Sequence, residues 1–265
     1  MQFVAEVGAA TERSVAYVGG LAQLFGKSLW VLFASPLKRG RLLHRALHQA
    51  MIAGVGAIPI ISLITFFVGV IIALQGAYEL QRLGAMQLVA SLVSISITRE
   101  LGPLVTAIVV IGRSGSAFAA EIGTMRVTEE LDALETMALD PIAFLVVPKF
   151  LAMAVMMPCL AIWAYFMGVL GGSVFGVIGA NFTFASYLNA TRDALLMRDV
   201  TTGIVKSLVF GLVITAVGCQ EGFSTSTGAE GVGRSTTSAV VVSILLVILI
   251  DLVFTTLFYV ARGVA

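Results

Sequence analysis

The stretch AMIAGVGAIPIISLITFFVGVIIALQGA, residues 50–77, contains no charged side chain. A helix crosses the ~30 Å hydrocarbon core of a bilayer in about 20 residues, so this segment is long enough to span a membrane with some tilt. Four more apolar runs follow, at 86–112, 145–179, 203–222 and 238–261. Each exceeds the ~18-residue minimum for a spanning helix. Strands of a transmembrane barrel would be shorter and would alternate in polarity, so a barrel is excluded. Composition agrees: mean hydropathy is +1.02, and 58% of residues are hydrophobic against 12% charged. A soluble domain carries about twice that charged share. The fold class is therefore an all-α integral membrane protein with five transmembrane helices.

Basic residues orient the chain. Lys38, Arg39, Arg41 and Arg45 cluster before the first run, whereas the next short connection holds only Arg82. That asymmetry predicts a cytoplasmic N-terminus. Five spans then put the C-terminus near Arg262 outside, the 113–144 and 223–237 connections inside, and the 180–202 connection outside. The first ten residues lack a basic region followed by a clean apolar core, which argues against a cleavable signal. From Arg13 to Phe33, apolar residues at helical spacing interrupted by Arg13, Gln23 and Lys27 predict an amphipathic helix lying in the membrane interface. The chain divides into this N-terminal segment, 1–48, and a membrane domain, 49–265. The third run is long enough to tilt or to contain a break, and Pro148 and Pro158 favour a kink in it. Gly168, Gly172 and Gly176 form one stripe along it, a pattern that lets membrane helices approach closely.

Several motifs are decoys. Gly26-Lys27-Ser28 resembles the end of a nucleotide-binding loop, but Leu21 stands where the first glycine is required, so no nucleotide or other cofactor is assigned to this chain. Gly112-Arg113-Ser114-Gly115 resembles an intramembrane serine protease element. That chemistry needs a base on another membrane helix, but the only histidines, His44 and His48, lie before the first span among the basic residues, which leaves a protease using Ser114 as the runner-up. Gly228, Gly231 and Gly233 follow no strand and predict a flexible, turn-rich 223–237 loop. Cys159 and Cys219 have no ligand-spaced neighbours, and His44 with His48 suits lipid headgroups better than a metal. A net charge of +1 gives no case for nucleic acid.

The stretch 117–140 mixes Glu121, Arg126, Glu129, Glu130, Asp132 and Glu135 with Ile122, Met125, Leu131, Leu134 and Met137. At helical spacing this predicts an amphipathic cytoplasmic helix, whose apolar stripe needs a covering partner.

Here a family likeness becomes specific. Arg99-Glu100-Leu101-Gly102-Pro103, Gly112-Arg113-Ser114-Gly115-Ser116, Ala120-Glu121-Ile122-Gly123, Met125-Arg126 and Met137-Ala138-Leu139-Asp140-Pro141 resemble the MlaE/YrbE permease family. Lys206-Ser207 and Gly228-Ala229-Glu230-Gly231-Val232-Gly233-Arg234, with Thr236-Thr237, resemble its later signatures. The resemblance implies a non-catalytic permease in the bacterial inner membrane, working as a homodimer. Its partners would be a cytoplasmic ABC ATPase, which holds ATP and Mg, and a periplasmic MCE-domain protein. Its cargo would be phospholipid moved between inner and outer membranes; relatives carry sterols or other lipids. By the same resemblance 117–140 becomes a coupling helix on the ATPase, with Glu121, Met125, Arg126, Glu129, Glu130, Asp132 and Glu135 in the contact.

Arg99 and Glu100 lie about 14 residues from Arg113, or roughly 21 Å into the membrane. Charges at that depth face a polar cavity or a charged partner. Asp251 sits at nearly the same depth in the last run, which predicts an Arg99–Asp251 ion pair or, as the resemblance implies, lipid contact by Arg99 and Glu100 at a central cavity. Beyond Arg99, Glu100, Lys206 and Asp251 the spans hold few ionisable groups.

Overall fold

The computed structural model describes residues 16–28, 30–31, 39–179 and 182–261. The first ten residues, Arg13, Lys38 and Arg262 lie outside them. Residues 16–28 form α1. It is followed by α2 (Arg39–Ala53), α3 (Ile58–Arg82), α4 (Val89–Ser96), α5 (Gly102–Val110), α6 (Ser116–Val127) and α7 (Glu130–Thr136). Then come α8 (Val147–Ile178), α9 (Phe184–Ala194), α10 (Met197–Phe223) and α11 (Gly228–Ala261). Single π-helical turns at Ile97–Leu101 and Ile111–Gly115 join α4, α5 and α6 into one rod, and a third at Ile142–Val146 leads into α8.

Five of these helical rods are long and apolar enough to cross a bilayer: Leu42–Arg82, Met86–Val127, Ile142–Ile178, Met197–Phe223 and Gly228–Val260. The chain is a multi-pass membrane protein. α8 and α10 form the centre, packing on each other, while α3 packs on α8 and α11 on α10. Burial follows: the apolar windows of the third and fourth rods are 61% and 56% buried, those of the first and fifth only 28% and 11%. Leu63, Phe67 and Leu74 of α3 and Leu245, Leu249 and Leu252 of α11 are left exposed. In water such faces would be unstable; their apolarity suits the hydrocarbon of a bilayer.

α8 starts with Pro148 in its first turn, where the missing N–H costs nothing, and continues through Pro158 without interruption. The glycine stripe is a helix contact: a Cβ at Gly168 would strike Ile97, and one at Gly172 or Gly176 would strike Tyr187 of α9. Burial pushes the Tyr187 phenol up to about 12, so it packs there as a neutral group.

The Gly-Arg-Ser-Gly element has a structural task. α2 ends at Ala53, leaving carbonyls without helical donors. Arg113 Nη1 donates to Ile52 O at 3.0 Å, and Ser114 Oγ donates to Ala53 O at 2.9 Å. Gly56 leaves room for the guanidinium; a Cβ there would meet Arg113 Nη2. Buried Ser114 is thus a tie between helix ends, with a backbone carbonyl rather than a general base as its partner.

Two expectations are corrected. The 117–140 stretch is not one helix: α6 continues the second rod, Glu129 adopts φ 60°, and α7 turns back. Val127 and Thr128 are β-branched and disfavour continuation, and the Thr128 hydroxyl bonds back to Thr124 O. The turn lets Leu131 and Leu134 join Ile122 and Phe150 in a buried cluster. Nor is 223–237 a flexible loop. Gly228, at φ 87°, makes the corner, and α11 runs onward from it.

Candidate functional site

The intramembrane charges meet where the first π turn faces α10 and α11. Adjacent helical residues point about 100° apart, so Arg99 and Glu100 diverge to different partners. The extra residue of a π turn shifts side-chain directions along the rod, and such turns concentrate at functional sites. On α10, Asp199 and Lys206 are two turns apart and share a face, as do Asp251 and Thr255 one turn apart on α11.

Arg99 Nε donates to Asp199 Oδ1 at 2.7 Å, and Asp199, only 1% exposed, also accepts from the Leu196 backbone N–H at 3.4 Å. Lys206, fully buried, donates to Glu100 Oε2 at 2.6 Å and to Thr255 Oγ1 at 2.7 Å. Its Nζ also lies 2.9 Å from Asp251 Oδ1, an ion contact without hydrogen-bond alignment. Thr255 in turn donates to Glu100 Oε1 at 3.0 Å, closing the ring. The expected Arg99–Asp251 pair is therefore corrected: Asp199 takes Arg99, and Lys206 takes Asp251. Depth alone could not find these pairings, since hydropathy left Asp199 in the 180–202 connection while it sits in the first turn of α10, two turns before Lys206.

Formal charges give Arg99 with Asp199 zero, and Lys206 with Glu100 and Asp251 minus one. The excess negative charge lies toward Glu100, whose side chain is 39% exposed while Asp251 is 16% exposed. Glu100 is thus the most open carboxylate of the cluster.

This pairing predicts a specific rescue. Arg99→Asp alone sets a second carboxylate against buried Asp199 and is expected to cost about 3 kcal/mol, read as loss of monodisperse protein. Adding Asp199→Arg should recover most of it, and adding Asp251→Arg should not. Recovery by the Asp251 exchange would overturn the geometry.

Beside the cluster, Thr98, Tyr165, Phe166, Leu170, Leu188 and Leu195 line part of an apolar groove of about 470 Å³ between α8 and α9. That volume suits acyl chains.

At the other end, Glu121 is not a free outward charge: it accepts from Lys149 Nζ of α8 at 2.9 Å, and Lys149 is 1% exposed. Met125 packs on the buried cluster beneath α7. Arg126 reaches Asp132 at 3.3 Å on the surface, a solvent-screened contact. Glu129, Glu130, Asp132 and Glu135 face outward. Lys27 of α1, with Arg126, Glu135 and Asp140, lines a cleft of about 400 Å³ between α1 and α7.

Lys149 and Asp199 escaped the sequence reading. Lys149 follows Pro148 at the edge of a run, where a cation looks solvated. Asp199 falls within an external connection by hydropathy; its signal is its place three residues after Leu196, in the first turn of α10.

Over residues 46–257 the chain matches the family described as Permease MlaE. It is 39% identical over 236 residues to a probable ABC transporter permease of Rickettsia typhi, covering 89% of this chain and 91% of that one. To the intermembrane phospholipid transport system permease protein MlaE of Haemophilus influenzae it is 34% identical over 212 residues, covering 80% and 81%. It is 32% identical over 247 residues to the chloroplast protein trigalactosyldiacylglycerol 1 of Arabidopsis thaliana, covering 89% and 71%.

Proposed function

This chain belongs to the MlaE family of ABC transporter permeases, and on that premise we propose that it carries phospholipid between the inner and outer membranes of a bacterial cell. A separate ABC ATPase holds ATP and Mg, and a periplasmic MCE-domain protein passes the lipid on. The observation that carries this reading is the buried charge cluster, partly open at Glu100, with an acyl-sized groove whose lining residues Thr98 and Val200 are chain neighbours of Arg99 and Asp199. The amphiphilic cargo that suits such a site has a charged head and two tails.

Two copies complete the path. The open side of Glu100 needs a polar cavity, and the exposed apolar faces of α3 and α11 are suited to building one against a second copy. Arg99 and Glu100 line that cavity, with Asp251 holding Lys206 in place. The N-terminus is cytoplasmic, α1 lies in the interface, and α6 and α7 form the coupling element. Glu129, Glu130, Asp132 and Glu135 present an acidic face to the ATPase, while the Glu121–Lys149 pair ties the element to central α8. ATP binding can drive exchange between two cavity states only through contacts that differ between them.

A mild-detergent pull-down of the tagged chain, with mass spectrometry of proteins and lipid, tests this. An ABC ATPase, an MCE-domain protein and phospholipid should come down together. Sterol as the dominant lipid would move the assignment to another hydrophobic cargo, and a chain recovered alone would sink it. Reversing the acidic face with Glu130→Lys and Glu135→Lys is expected to reduce ATPase recovery on the order of tenfold while leaving bound phospholipid in place.

A further inference from the structure

A second polar site lies far from the Lys206 cluster, in a cavity of about 190 Å³ where α2 meets the start of α8. His44, Arg45, His48, Gln49 and Lys149 supply its polar lining, and Phe144, Leu145 and Pro148 its floor. The lining contains a guanidinium, a lysine amine and two imidazoles but no carboxylate. Glu121 reaches Lys149 at 2.9 Å and takes one of its three donors. Arg45 is held in place, its guanidinium 3.7 Å from the centre of the Phe144 ring. The volume is ample for a phosphate group.

The same helix says where the anion comes from. Leu43, Leu47 and Met51, at four-residue steps on α2, are 59%, 56% and 67% exposed, forming an apolar stripe beside the His44–His48 edge. An apolar stripe flanked by a basic edge is the arrangement of a segment at the boundary between acyl chains and headgroups. A free anion would use the pocket and ignore the stripe.

We propose that this pocket binds the phosphate headgroup of an anionic phospholipid of the surrounding leaflet, with its acyl chains along Leu43, Leu47 and Met51. The lipid would be resident rather than cargo, fixing α2 against α8. The inference rests on the membrane placement argued above but not on transport.

The test uses the full-length chain in mixed micelles with tail-labelled phosphatidylglycerol or phosphatidylcholine, read by fluorescence anisotropy. Phosphatidylglycerol should bind several-fold more tightly. Arg45→Gln should remove about fivefold of that preference, the worth of one cation near a membrane surface, and His44→Gln with His48→Gln should weaken it further. These positions are exposed, and unchanged melting curves would show that the variants fold. Equal binding of the two lipids, or a preference that survives Arg45→Gln, would overturn the proposal. So would loss of the preference through Arg99→Gln alone, which would place the lipid at the central cluster. Displacement by millimolar orthophosphate without a lipid preference would make the site one for a free anion. Capture of a polyglutamate peptide without a lipid preference would assign it to a protein; either overturns the lipid assignment. Because the readout needs neither ATPase nor transport, failure here leaves the transporter reading standing.

Discussion

Lys206→Met is expected to destabilise the folded protein strongly. The lysine is fully buried and serves Glu100, Asp251 and Thr255 from one ammonium. Its removal places two carboxylates side by side at membrane depth without a cation. Breaking a buried ion pair by deleting one partner costs about 3–5 kcal/mol, against a total stability of roughly 5–15 kcal/mol for a folded protein. The Asp251 side carries more of this loss, since Glu100 is partly open. A fall in melting midpoint of roughly 10 °C is expected, measured by size-exclusion chromatography after heating in detergent. The triple variant Lys206→Met, Glu100→Gln, Asp251→Asn removes the stranded charges as well. It should regain most of the fold while remaining inactive in lipid transfer. Regained folding without transport separates the cluster's service to function from its service to stability. A single variant as stable as the parent would show that the carboxylates do not depend on Lys206.

The second large effect concerns the seam between α3 and α8. A Cβ on Gly69 would sit 1.9 Å from Gly168 O, and one on Gly171 would sit 2.0 Å from Phe66 O. Both obstacles are helix backbone, which cannot turn aside as a side chain can. The helices would have to part by more than 1 Å to restore ordinary contact distances of about 3.3 Å. Protein interiors tolerate such overpacking poorly, at about 1–3 kcal/mol and more when two backbones are forced apart. The gain of about 1 kcal/mol in helix propensity from Gly to Ala does not offset it. Gly69→Ala and Gly171→Ala are therefore expected to lower the yield of monodisperse protein severalfold, and Gly69→Leu to abolish it. Gly112→Ala is the control, because nothing lies within 4 Å of its added Cβ. If Gly69→Ala purified as well as Gly112→Ala, the close approach of α3 to α8 would be refuted.

Much of the architecture was legible because hydropathy acts locally. A helix spans a bilayer by its own length and apolarity, whatever it later touches, so the five runs at 50–77, 86–112, 145–179, 203–222 and 238–261 correspond to the five spanning rods. Arg99, Glu100 and Asp251 stood out for the same reason: a charge inside an apolar run is visible without a structure. The glycine stripe on α8 was readable as a contact, though not that Tyr187 and Ile97 fill it.

Hydropathy fell short at the ends of the runs. It stopped the second span at Arg113, yet the helix continues to Val127, and it left 228–237 as loop, yet α11 begins there. Helices outlast the membrane when polar residues cap and pair along their extensions, as Glu230 and Arg234 do one turn apart at 3.2 Å. In the same way the sequence presented 117–140 as one amphipathic stretch, whereas burial of Leu131 and Leu134 folds it back at Glu129.

The sequence by itself thus determined that the chain is a helical membrane protein with five spans and that charge is placed deep within it, because span length and the cost of burying charge are properties of single segments. Only the tertiary structure decided which charges meet. Arg99 went to Asp199, and Lys206 took both Glu100 and Asp251. Partner choice depends on how far each helix rotates and how closely its neighbours come. A π turn at Ile97–Leu101 and glycine contacts between backbones set those quantities, and both are fixed by packing between helices distant in sequence.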